Sequence, residues 1–153
     1  MTPSDFSAFH MAVHGRPPFD WQQRLLEQIV RERCWPQVLD LPTGAGKTTC
    51  LDIALFALAL DAKSKTPWCA RRIAMVVDRR VVVDQVAERG RQLANALLQP
   101  AAPIVEEVAA SLRSLSHEAA PLAVYTLRGG MPKVNGAIGT GSSPPLEARM
   151  PLA

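Results

Sequence analysis

Leu41-Pro42-Thr43-Gly44-Ala45-Gly46-Lys47-Thr48 stands between a short apolar run, Val38 to Leu41, and a longer one extending from about Lys47 to Ala62. A strand passing through a glycine-rich loop into a helix is the context in which such a loop binds phosphate. Gly44 and Gly46 let the backbone curl so that successive N–H groups point inward, and neither carries a Cβ that would collide with phosphate oxygens. The helix opening near Lys47 adds the positive end of its dipole. The Lys47 ammonium is expected to reach the β and γ phosphates of ATP, and the Thr48 hydroxyl to ligate Mg²⁺. With Thr43 and Ala45 these residues make up the expected nucleotide loop. The competing reading is a plain turn joining a strand to a helix.

On the N-terminal side, Trp21, Leu25, Leu26, Ile29 and Val30 form one apolar face behind Asp20, an N-cap candidate with Gln23 three residues on. This spacing predicts an amphipathic helix ending near Cys34, stopped by Pro36. Gln22 lies on it. A Gln amide offers a donor and an acceptor side by side, which suits adenine, and a neighbouring aromatic can stack on the base. Taken alone, Gln22 reads as an ordinary exposed helix residue. Residues 1–18, with Gly15, Pro17 and Pro18, read as a lead-in segment.

On the C-terminal side, Ile73 to Val77 and Leu122 to Leu127 read as two further strands. Between them, Val82 to Leu98 and Ile104 to Leu115 carry helical periodicity. Alternating strands and helices predict an α/β domain with a parallel sheet and flanking helices. Residues 131–153, rich in Gly, Pro and Ser, carry no periodic apolar face and are expected to be disordered.

The composition fits one soluble domain or part of one: 153 residues, 48% apolar, 20% charged, net charge +3. The longest apolar run, Ile53 to Leu60, is too short for a bilayer span, so no membrane association is expected, and a cytoplasmic location is. Cys34, Cys50 and Cys69 match no metal or disulfide spacing and read as reduced, half-buried thiols. Arginines crowd the stretch from Arg71 to Arg91, which leaves a polyanionic partner open.

Leu41 stands where the usual loop has its first glycine, Pro42-Thr43 precedes the first one available, and this variant is similar to the loop of superfamily 2 helicases. Four segments in order resemble the helicase-nuclease of type I CRISPR interference, of the subtype formerly called U and now G. They are Pro18 to Gln22, Leu39 to Thr48, Val76 to Gln85 with its Asp78-Arg79-Arg80, and Thr126-Leu127-Arg128-Gly129-Gly130. The third discriminates, since a double-Arg version of motif Ia is typical of that family. The resemblance implies an incomplete RecA-like P-loop lobe over residues 19–130 of an ATP-dependent DNA helicase acting in antiviral defence. Gln22 would sense adenine, and Lys47 and Thr48 would contact phosphate and Mg²⁺. Arg79, Arg80 and Gln85, with Arg128, Gly129 and Gly130, would touch the backbone of single-stranded DNA. The CRISPR surveillance complex would be the partner.

No acidic pair follows the third strand candidate, and no His-Asp dipeptide is present. The chain is therefore expected to be a truncated or frameshifted product that binds ATP without hydrolysing it. A small P-loop nucleotide or small-molecule kinase, and a non-catalytic nucleotide-binding module, are the alternatives.

Overall fold

The computed structural model describes residues 1–77, 79–115 and 120–126. Five α-helices are present among them: α1 (Phe6–His14), α2 (Asp20–Glu32), α3 (Cys50–Asp61), α4 (Arg80–Leu98) and α5 (Pro103–Arg113). Short 3₁₀ turns, Pro3–Asp5 and Lys47–Thr49, lead into α1 and α3.

The helix α3 is the hub. Its sequence, CLDIALFALALD, is apolar nearly all round, so it can persist only where neighbours cover it on several sides. Ile53, Leu55, Phe56, Ala57 and Ala59 are at most 1% exposed. Helices α1, α2 and α5 pack directly on α3, and α4 closes on α5. Phe56 meets Phe6 edge-on at a centroid distance of 5.4 Å and Phe9 at 5.4 Å. Leu25, Leu26 and Ile29 of α2, Leu93 and Leu97 of α4, and Val105, Val108 and Leu112 of α5 complete the same core.

The expected parallel sheet is not found: no strand occurs among the described residues. Residues 38–41 and 73–77 have no regular secondary structure and carry no ladder hydrogen bonds among the described residues, and Val38 and Val76 are 78% and 92% exposed. A buried strand needs a partner to satisfy its backbone groups, and a run of four or five apolar residues does not encode one. The covering that α3 was expected to take from a sheet comes from helices instead. Of the third strand candidate, residues 122–126 form no strand, and Val124 lies against Gly90 of α4. A Cβ at Gly90 would stand 3.1 Å from Val124 Cγ1, so the missing side chain permits that close approach. Leu127 and the tail 131–153 lie outside the described residues.

Residues 1–18, read as lead-in, contain α1, whose Phe6, Phe9 and His10 are buried. It ends in the regular way, with Gly15 in the left-handed region at φ 69° and its N–H donating to Met11 O at 2.8 Å. The helix expected from Asp20 begins there, but the reach-back from its first turn is made by Gln22, whose Oε1 accepts from Phe19 N–H at 2.9 Å. Gln23 turns instead to Pro3 O and Glu27. At the far end of α3, Asp61 Oδ2 accepts from the N–H groups of Trp68 and Cys69, both at 2.8 Å, and so closes the following loop. No helix among the described residues is long and apolar enough to cross a membrane.

Candidate nucleotide and nucleic-acid site

Residues Thr43 to Gly46 form a turn in which Gly44 and Gly46 take φ of +84° and +77°, a region that costs an L-residue energy. Gly44 faces open space, with no heavy atom within 4 Å of where a Cβ would stand. Gly46 is crowded, for a Cβ there would meet Gln22 Nε2 at 3.0 Å and Phe19 Cε2 at 3.3 Å. The two glycines thus serve different ends. One leaves the outer rim of the loop bare, and the other lets the loop press against α2.

Three contacts seat the loop on α2. Gln22 Nε2 donates to Gly46 O at 3.3 Å, Trp21 Nε1 donates to Ala45 O at 3.0 Å, and the Phe19 ring lies against Gly46. Gln22 is only 2% exposed, which corrects the reading of it as a surface residue. Both ends of its amide are engaged within the protein, on Phe19 N and Gly46 O. Beside them Pro18, Phe19, Asp20, Trp21, Arg24 and Ala45 line an open recess of about 480 Å³.

Among the described residues, none accepts a hydrogen bond from the N–H groups of Gly44, Gly46, Lys47 or Thr48. Lys47 is exposed, with no ion pair among the described residues, and Thr48 is half-buried. Unsatisfied amides beside a bare glycine and a free ammonium fit the polyphosphate of ATP. The expected single helix from Lys47 to Ala62 is instead a 3₁₀ turn, Lys47–Thr49, running into α3.

Arg79 and Arg80 are exposed at the start of α4, where Arg79 O accepts from Val82 and Val83 N–H at 3.0 and 3.1 Å. Gln85 is exposed one turn further on. Two cations at the positive end of a helix dipole repel it, and an anion there would relieve both. Arg128, Gly129 and Gly130 lie outside the described residues.

A buried charge cluster escaped the sequence reading. The carboxylate of Asp52 in α3 is fully buried. Its Oδ1 accepts from His14 Nε2 at 2.6 Å, and its Oδ2 accepts from Arg89 Nε of α4 in a close ion pair. Arg89 Nη2 also donates to Thr49 Oγ1 at 3.1 Å and lies 3.5 Å from His10 Nε2. His10 Nδ1 donates to Arg16 O at 2.8 Å, which leaves its Nε2 as the acceptor. Burial, with Arg89 and His14 nearby, holds the His10 pKa below its usual value against the raising effect of the Arg16 carbonyl. His10, His14 and Asp52 have the proximity of three metal ligands, within 4.8 Å of one another. The Arg89 guanidinium already supplies the cation there.

The cysteines are free. Cys34 is exposed rather than half-buried, while Cys50 and Cys69 are half-buried as expected. Burial raises the pKa of both, that of Cys69 to about 12 with help from Asp61, so neither is a nucleophile at neutral pH. Of the adjacent acids on α5, Glu106 faces solvent, and Glu107 accepts from Lys63 Nζ at 3.2 Å.

A glycine-rich turn whose amides find no acceptor among the described residues, with an exposed lysine and a helix behind it, is an arrangement that suits phosphate. The chain belongs to the family described as type III restriction enzyme, res subunit, whose model matches residues 16–121, more than half of its length. That family is superfamily 2 helicase-like, made up of ATP-dependent enzymes that act on nucleic acid. No curated protein and no solved structure matches the chain.

Proposed function

We propose that this chain is the ATP-binding part of an ATP-dependent DNA helicase-nuclease of CRISPR interference. The reading is supported by one observation: the amides of Gly44, Gly46, Lys47 and Thr48 have no acceptor among the described residues and stand beside an exposed Lys47. Those amides and the Lys47 ammonium hold the phosphates, and the Thr48 hydroxyl ligates Mg²⁺, which supplies charge neutralisation when bound. Gln22 and Phe19 set the inner wall of the loop, and the recess beside Ala45 takes the base, with the half-exposed Phe19 ring available for stacking.

Arg79, Arg80 and Gln85, on the first turns of α4, meet the backbone of single-stranded DNA, together with Arg128, Gly129 and Gly130. Arg suits this task because its planar fork matches phosphate oxygens. The double-Arg segment is also what supports the CRISPR role, with the surveillance complex as the partner that delivers DNA.

Isothermal calorimetry with Mg-ATP tests the first part. The wild-type chain is expected to bind, and Lys47→Ala to lose binding while keeping its circular dichroism spectrum. Equal affinity in the two proteins would refute the assignment. For the DNA surface, fluorescence anisotropy with an oligo-dT strand should show binding that weakens with salt and weakens further in Arg79→Ala/Arg80→Ala.

A further inference from the structure

We propose that Arg89 is a positioning residue for the nucleotide loop, acting through the hydroxyl of Thr49. The inference rests on the loop being a nucleotide site. Thr49 closes the 3₁₀ turn that begins at Lys47, so the two residues belong to one rigid unit. Its backbone N–H donates to Gly46 O at 3.0 Å, the same carbonyl that receives Gln22 Nε2. The loop is therefore gripped from α2 through Gln22 and from α4 through Arg89, with Gly46 and Thr49 as the two points held.

The grip from α4 is oriented in advance. Asp52 fixes the guanidinium through Nε, and Asp52 is itself held by His14. This places Nη2 3.1 Å from Thr49 Oγ1, to which it donates, with His14 Nε2 at 3.2 Å and His10 Nε2 at 3.5 Å beside it, where Thr49 is 2% exposed and Asp52 fully buried. A hydrogen bond from a charged donor in such surroundings is stronger than one in water. Thr49 itself reaches no phosphate in this reading. Its hydroxyl points to α4, and its effect on nucleotide is felt through the placement of Lys47 and Thr48.

The closest substitution is Thr49→Val, which keeps the shape and removes the acceptor, while the Asp52–Arg89–His14 pairing stays in place. Calorimetry with Mg-ATP should find binding about tenfold weaker, the size expected for a hydrogen bond to a charged group. Thr49→Ser restores the hydroxyl and should return affinity to within about twofold of wild type. Arg89→Lys keeps a charge for Asp52 but loses the fork, and should weaken binding as Thr49→Val does. The double variant Thr49→Val/Arg89→Lys should be no weaker than either single one, since both remove the same contact. Equal affinity in wild type and Thr49→Val would overturn the positioning role and leave the nucleotide site standing. So would a loss in Thr49→Ser as large as that in Thr49→Val. Absence of Mg-ATP binding by the wild-type chain would overturn the nucleotide site, and the positioning role with it.

Discussion

The indole Nε1–H of Trp21 donates to the carbonyl of Ala45 at 3.0 Å, so the second residue of α2 holds the middle of the glycine-rich loop. Together with Gln22 on Gly46 it makes α2 the bed on which the loop lies. Trp21→Phe keeps the ring and removes the donor. It should lower stability by about 1 kcal/mol in urea unfolding, the net worth of one neutral hydrogen bond.

The two loop glycines should respond unequally to alanine. At Gly44 the added methyl meets nothing, so the cost is that of a left-handed φ, about 1 kcal/mol. At Gly46 the same penalty is joined by contact with Gln22 Nε2 at 3.0 Å, so Gly46→Ala should be the more destabilising of the two. Equal midpoints for the pair in denaturant titration would contradict the geometry.

How much of this was legible depended on how local the signal was. The helices α2, α4 and α5 announce themselves through apolar spacing and, for α5, through Pro103 at its first turn. The spacing of Phe6, Phe9, His10 and Val13 signals α1 in the same way, although Gly15, Pro17 and Pro18 dominate a reading of that region for breaks. Val38 to Leu41 and Ile73 to Val77 have the composition of buried strands, but pairing is a property of two segments and neither states its partner. The Asp52 cluster was invisible for the same reason: Arg89 and Asp52 are 37 positions apart, and His14 and Asp52 38. The glycine-rich turn was readable because its residues are contiguous.

Removing Arg89 as Arg89→Ala strands a fully buried carboxylate. The expected loss is about 3–5 kcal/mol, measured as a shift of the urea midpoint, far more than for any surface arginine. Arg91→Ala, whose partner Glu88 is equally exposed, should change stability by less than about 1 kcal/mol and serves as the control.

Stability should fall as the solution is made mildly acidic. The folded-state pKa of His10 is depressed, chiefly by burial, so the unfolded chain takes up this proton first. The contribution is complete above the unfolded value, about 6.5, and is lost as pH falls from there through the folded value. Urea midpoints at pH 7.5 and 5.5 should therefore differ, and His10→Gln should reduce the difference. Asp5, Glu32 and Glu107, held below the usual carboxylate range by hydrogen bonds that favour their charged forms, act in a lower window. Their share is present above the unfolded carboxylate values and lost as pH falls through the folded ones.

Val38 and Val76, apolar and largely exposed, should promote association of the chain with itself. Val38→Lys/Val76→Lys is expected to reduce light scattering at high protein concentration. Because neither side chain is buried, its unfolding midpoint should move by no more than about 0.5 kcal/mol.

The turn that carries Lys47 runs without interruption into α3, the helix enclosed on most sides by the others. A molecule gripping that turn is therefore coupled to the most enclosed helix of the core, and its binding energy is added to the resistance of the core. At a hundredfold excess over its dissociation constant, this amounts to about 2.7 kcal/mol. The lifetime of the chain in the presence of a protease would then rise with the concentration of whatever ligand that turn holds.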